Sequence, residues 1–427
     1  MYCYLKPKSM DFLYNNRKVI MRLSFVLWLV VQVFLVVKYW NLPQYSDAKL
    51  YMDSAMECYF GGQWYPNIHQ LNSQQYLFNP GFINFLILEL KAFGTFTYHG
   101  IIGIVINLIL LVSVRKIIKE LVNDEASDYA TILYCLMYSN MISSIPVMSD
   151  LFFTCLLFGS LALLRPGYIW LVLSSMIMCY ANYTRPLLVI FVVSIFLYMY
   201  LKNFGWKRIV VYCISYFVFS TGLSMIVSSN TAAKDASGST LGINLIMGAN
   251  DHMNGTVNDE VFKKGDIGYI EKNTNVYQKD SIWQSHAIKW IAQHPVKYVS
   301  YVPIKMARLW WGDNYMDLPL NNLATSNTSL YSKLELCKRA FRIVGFSLFY
   351  YITFFLMLIG LWKLRKKIWG YWGVFVLPII LACGMHCVLY GGMRYHYSYV
   401  PIMILYATIG LMSFKDKKLL FLTKKKF

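Results

Sequence analysis

The stretch SDAKLYMDSAMECYFGGQWYPN, residues 46–67, decides how the rest of the chain is read. It follows an apolar run at 23–37, so Asp47 stands a few residues beyond a segment suited to crossing a bilayer. Tyr51, Ala55 and the Gly61-Gly62 pair come after it. A carboxylate held at a membrane surface, followed by an aromatic residue and a glycine break, predicts a reactive site facing lipid headgroups.

Composition supports a membrane reading. The 427 residues are 57% hydrophobic and only 14% charged, whereas about a quarter of a soluble domain is charged. Several runs reach the roughly 17–25 apolar residues that span hydrocarbon. The net charge of +19 does not point to nucleic acid. Its basic residues cluster in short loops, at Arg115-Lys116, Lys207-Arg208, 363–367 and 415–426, as expected on the cytoplasmic side of a membrane. The 17% aromatic content fits interfacial belts. Of the nine cysteines, Cys135, Cys155, Cys179, Cys213, Cys383 and Cys387 fall in apolar runs as small hydrophobes. Cys58 and Cys337 would share the outer side, where they could pair. There is no CxxC spacing for a metal. The basic N-terminus, with Lys6, Lys8, Arg17, Lys18 and Arg22, precedes a run without a small-residue cleavage site, which reads as an uncleaved anchor.

The expected fold is an all-α polytopic membrane protein of about ten transmembrane helices, with external juxtamembrane helices and a small external cap. Spans are read at 23–37, 101–114, 129–145, 151–164, 170–183, 187–201, 209–227, 346–362, 372–390 and 399–414. Both termini are then cytoplasmic and the chain lies in the plasma (inner) membrane. Residues 80–94 are apolar but short and carry Glu89 and Lys91. Reading them as a helix lying on the interface keeps Arg115, Lys116 and Lys119 inside. One transmembrane domain, 1–414, includes external loops 40–98 and 229–340, and a basic tail follows at 415–427. The second loop opens with a turn-rich stretch, GINLIMGANDHMNG at 242–255. Candidate helices at 281–291 and 296–311, separated by Pro295, are expected to pack over the Asp47 loop.

This topology sends four charges to one face: Asp47, Asp150, Arg185 and Arg394. Taken singly, Asp47 reads as a solvated loop acid, Asp150 as an N-cap for the following helix, and the arginines as interface anchors. Taken together, two carboxylates and two guanidiniums could bind a lipid phosphate and perform acid–base work. His69, His286, His294 and His396 read as loop or interfacial residues.

The pattern resembles the GT-C superfamily of membrane glycosyltransferases, in particular the bacterial relatives of protein O-mannosyltransferases and lipid A aminoarabinose transferases. Asp47 to Tyr51 is similar to that family's D-E-x-x-Y stretch, with Ala48 in place of the second acid. NPGFINFLILELKAFG matches a juxtamembrane helix, though Phe78-Asn79 stand where the family often has a basic residue. Ser149-Asp150, Arg185-Pro186 and Arg394-Tyr395 with Pro401 match later family positions, and 242–255 looks like a G-x-N-L-x-x-G-x-N turn.

The resemblance implies a transferase that moves a sugar from a polyprenyl-phosphate-linked donor to a lipid, glycan or protein acceptor on the external face, with inversion. Asp47 would be the base, and Asp150 would orient acceptor or sugar. Arg394 and Arg185, with Tyr51 and Tyr395, would bind substrate. The scheme requires no metal or cofactor, and its partners are membrane lipids and these substrates rather than nucleic acid. Two alternatives stand beside it. One is an O-antigen polymerase-like or ligase-like enzyme, which would be dominated by external arginines. The other is a lipid-linked sugar transporter or flippase, which would show broken helices and repeat symmetry.

Overall fold

The computed structural model describes residues 12, 14–65, 79–230, 240–256, 259–271, 274, 276–313, 347–368 and 370–414. Among them there is no strand, only an isolated bridge between Thr256 and Gly391. Cys58 is a buried thiol, while Cys337 and the tail 415–427 lie outside the described residues.

The bundle begins with α1 (Arg17–Lys38). The quoted stretch then forms a helix, α2 (Ser46–Phe60), and not a loop; it stops at Gly61-Gly62, where Gly62 takes φ 67°. After α3 (Pro80–Phe93) come α4 (His99–Leu121), α5 (Asp124–Leu136), α6 (Tyr138–Ile142), α7 (Ser149–Leu163), α8 (Tyr168–Thr184), α9 (Leu188–Leu201) and α10 (Trp206–Asn230). Between α10 and the next apolar helix lie α11 (Leu241–Gly248), α12 (Val276–Gln293), α13 (Pro295–Ser300) and α14 (Val302–Leu309). α15 (Ser347–Leu364), α16 (Gly373–Val388) and α17 (Val400–Met412) complete the described elements.

By length and composition, three of the described helices can cross a membrane: α1, α4 and the Trp206–Ile226 part of α10. The expectation of about ten is corrected to that extent. α7, α9, α16 and the Leu348–Leu364 part of α15 are apolar but shorter. At about 1.5 Å per residue, the 15 residues of α7 rise some 22 Å, short of the roughly 30 Å of hydrocarbon. The apolarity of α17 reflects its central position, since all but one of its residues are buried by neighbouring helices. α3, with 14 residues, is also too short to span alone. Its Glu89 is not on an interfacial face but buried, 2.8 Å from His99 Nδ1.

Polar groups tie the bundle together. Asn107 on α4 donates to Gln32 of α1 at 2.9 Å, to the Asn140 carbonyl at 2.7 Å and to Ser143 at 2.9 Å. Trp28 also donates to the Asn140 carbonyl, at 3.0 Å. These bonds satisfy the irregular backbone between α5 and the next long helix, which an apolar interior would otherwise penalise. α15 and α17 approach until their backbones touch. A Cβ on Gly410 would lie 2.0 Å from the Leu356 carbonyl oxygen, and one on Gly360 would lie 2.0 Å from that of Tyr406. Gly410→Ala should therefore force the helices apart and cost about 1–3 kcal/mol. Gly384→Ala, with no atom near the new methyl, should stay within about 0.5 kcal/mol. Thermal unfolding of the two variants in detergent compares them directly.

The cap has its own core, with Ile243, Ile246, Val261, Trp283, Ala287 and Trp290 buried between α11 and α12. The stretch 242–255 is thus half helix and only then turns. α12 is longer than expected, and Pro295 begins α13. α14 packs on α16. There Lys305 is fully buried, with Nζ 4.2 Å from the Tyr298 ring centroid and 3.3 and 3.4 Å from the carbonyl oxygens of Cys387 and Val388.

Burial lowers the Lys305 amine from 10.5 to about 8. Between those values the unfolded chain binds the proton more tightly, so this group adds stability as pH rises through the window. Lys305→Met should be more stable than the parent near pH 7, by at most about 3 kcal/mol. That advantage should shrink as pH rises from about 8 to about 10.5. A pH series of unfolding midpoints for both proteins tests this, and a pH-independent difference would contradict it.

Candidate active site

Asp47 lies in the first turn of α2, where a carboxylate suits the helix dipole. The residue before it, Ser46, takes φ 52°, a left-handed backbone that a non-glycine residue adopts at some cost. This turn aims the Asp47 side chain back across the end of the bundle. Asp150 is not the N-cap of α7; Met148 holds that position and Asp150 follows in the first turn. Arg185 ends α8 in an extended conformation, φ −145° and ψ 124°, as the following proline requires. Arg394 sits on a 3-10 helix, Met393–Tyr399, that leads into α17.

These four side chains form one alternating chain of charge. Arg394 Nε donates to Asp150 Oδ2 at 2.9 Å, and its Nη1 donates to Asp47 Oδ2. Arg185 Nη1 donates to Asp150 Oδ1. Asp150 is completely buried and offers both oxygens to guanidiniums, while the Asp47 side chain remains 21% exposed. Such a pairing is required at Asp150, because a lone buried charge is prohibitive. The Arg185 guanidinium is held above its usual value: burial, the largest single effect, opposes the charge, but Asp150 together with the smaller pulls of Tyr395 and Tyr51 carries it upward.

The tyrosines close the frame. The Tyr51 hydroxyl lies 3.2 Å from Ser149 Oγ. Arg185 stands 5.7 Å over the ring of Tyr395, whose hydroxyl meets that of Tyr390 and donates to Asn244 Oδ1 at 3.4 Å. Burial pushes the Tyr51 and Tyr395 phenols up, against the pull of Arg394, so both remain neutral hydroxyls. His386 donates from Nδ1 to the Tyr390 carbonyl at 2.9 Å and packs against Tyr395.

A cleft of about 480 Å³ opens beside this frame. Asp47, Tyr51, Arg185, Arg394 and Tyr395 line it; Asp150 stands behind the arginines. All six residues expected from the sequence therefore come together, five of them at the cleft wall. Residues that sequence reading missed also line it, among them Asn79, Asn244, His386 and Tyr390. The cap residues facing the cleft are Thr240, Leu241, Ile243, Asn244 and Met247. They belong to α11 and its approach, not to the expected 281–311 segment, which packs behind α11 and against α16. Among the described residues, no group of three His, Cys, Asp or Glu side chains is placed to hold a metal.

Charge also gathers at the opposite end of the bundle. Arg17 and Arg115 flank Asp128 at 3.0 and 2.7 Å, and Arg165 meets Glu120 at 2.8 Å. The two ends are thus chemically distinct: a closed acid–base chain beside a cleft at one, and a more exposed, mainly basic rim at the other.

No family model and no curated protein matches this chain. Two solved structures of the Archaeoglobus fulgidus oligosaccharyltransferase are similar to it. The complex with zinc and sulfate is 11% identical with a TM-score of 0.47, and the match covers 94% of this chain and 51% of that one. The apo form is 10% identical with a TM-score of 0.46, covering 91% and 50%. This chain spans about half the length of the solved chains it matches.

Proposed function

We propose that this chain is a membrane glycosyltransferase, transferring a sugar from a polyprenyl-phosphate-linked donor to a lipid, glycan or protein acceptor with inversion at the anomeric carbon. The observation that carries the reading is the convergence of Asp47, Arg394 and Arg185 on one cleft wall, with Asp150 fixing both arginines from behind. Guanidiniums placed side by side suit a phosphate leaving group. In a single displacement, the acceptor oxygen or nitrogen forms a bond to the anomeric carbon as the bond from that carbon to the phosphate oxygen breaks. The leaving electron pair stays on the phosphate, where the arginines stabilise it. Asp47 receives the acceptor's proton, an assistance worth about 10²–10⁴ in rate. Asp150 acts as a positioning residue.

The cleft faces outward in this reading, because the basic rim at the other end of the bundle belongs in the cytoplasm. On the same rule we read both termini as cytoplasmic, and the membrane as the plasma (inner) membrane.

The test is transfer by purified chain in detergent or nanodiscs. Polyprenyl-phosphate sugars serve as donors, and released polyprenyl phosphate is the measured product. Arg394→Ala should weaken donor binding by about tenfold or more, since it deletes a charge-assisted contact. A chain that moves lipid-linked sugar between leaflets but forms no glycosyl product would establish the transporter alternative.

A further inference from the structure

The Asp47–Arg394 pair poses a difficulty for the mechanism. The same ion pair occupies both the group meant to take a proton and a group meant to hold phosphate. Two contacts of Arg394, however, differ in kind. Its Nε is bound to Asp150, which is wholly buried and also gripped by Arg185. Its Nη1 edge is bound to Asp47, the most exposed member of the chain, on the wall of the cleft. The inner contact anchors the guanidinium plane, and the outer contact can be exchanged.

Building on the glycosyltransferase reading, we propose that a lipid-linked phosphate entering the cleft displaces the Asp47 carboxylate from Arg394 Nη1 and that this exchange releases Asp47 to act as base. The exchange conserves charge pairing: one anionic oxygen replaces another on the same N–H edge, and no proton moves. Arg394 keeps its bond to Asp150 throughout. The Oδ2 freed from this guanidinium can take a hydrogen bond from the acceptor instead, so the base becomes available only when the leaving group is in place. Binding is then ordered, with donor before acceptor, and in the empty site Asp47 Oδ2 stays occupied by Arg394.

The exchange has a counterintuitive signature. Because Asp47 competes with phosphate for Arg394, removing the carboxylate should tighten phosphate binding even as it abolishes catalysis. Farnesyl phosphate is a suitable probe, with farnesol as the phosphate-free control and inorganic phosphate as the lipid-free one. Its dissociation constant, measured by calorimetry on the full chain in detergent, should fall about tenfold in Asp47→Asn and in Asp47→Ala. Inorganic phosphate should gain similarly if headgroup chemistry alone is recognised, and farnesol should gain nothing. Asp53→Asn removes an equal charge from the same helix, but its partner is Lys49, so it should change farnesyl phosphate binding less than about twofold. The gain should persist in 0.5 M salt, because a contact pair is screened little. Unchanged or weaker binding in both Asp47 variants, with unfolding midpoints near the parent's, would overturn the exchange. If transfer is lost in Asp47→Asn without a gain in phosphate affinity, the glycosyltransferase reading survives and only the exchange fails. If transfer is normal in that variant, the assignment of Asp47 as base fails as well.

Discussion

Asp47→Asn should lower sugar transfer by about two orders of magnitude or more while leaving the amount of folded protein near that of the parent. The substitution keeps the shape of the side chain and its capacity to accept a hydrogen bond from Arg394, but removes the group that takes the proton. Folding should be little affected. The Asp47 side chain is 21% exposed, and Arg394 retains Asp150 at 2.9 Å. Single-turnover transfer measured with saturating donor separates this effect from binding. Near-normal turnover would remove Asp47 from the base role. Asp53, partly exposed and paired with Lys49, would then be a better replacement than Asp150, whose oxygens are both taken.

Asp150→Asn should fail in a different way. Two guanidiniums converge on a carboxylate with no exposed surface. Neutralising it leaves Arg185 and Arg394 close together without the charge that offsets them, a loss of about 3–5 kcal/mol for a buried pair. The expected result is poor accumulation and a lowered unfolding midpoint, with loss of activity as a consequence. Arg185→Gln placed in the same chain should recover part of that stability, because it removes one of the stranded charges, and the double-mutant cycle measures the coupling. If Asp150→Asn folds as well as the parent, Asp150 does not hold the frame.

The frame was legible in the sequence because ionisable residues at the ends of apolar runs are costly and therefore few. Asp47, Asp150, Arg185 and Arg394 stood out on that ground, and Tyr51 and Tyr395 came with the family resemblance. Other features left no local trace. Lys305 sits in α14 with the spacing of an ordinary surface lysine, and only the approach of the α16 carbonyls buries it. Asn244 was hidden in a stretch rich in glycine and asparagine that reads as turns, yet its first half is helical because it packs on α12. Tyr390 and His386 line the cleft through tertiary packing alone. The number of crossing helices was over-read for a related reason. A run such as α17 is apolar because other helices surround it, and hydropathy alone does not separate burial in protein from burial in lipid.

The alternating charge chain also bears on how the molecule comes into being. Asp150 and Arg185 are 35 residues apart, whereas Arg394 is 244 residues from Asp150 and 347 from Asp47. At about 5–20 residues per second, Arg394 leaves the ribosome roughly 10–50 s after Asp150. During that interval Arg185 alone neutralises Asp150, and Asp47 waits without its guanidinium. The segment between α16 and α17 then delivers the residue that joins both acids. A nascent chain therefore lacks the complete charge chain until the segment carrying Arg394 has been made, and one that stalls before it leaves Asp47 and Asp150 unjoined.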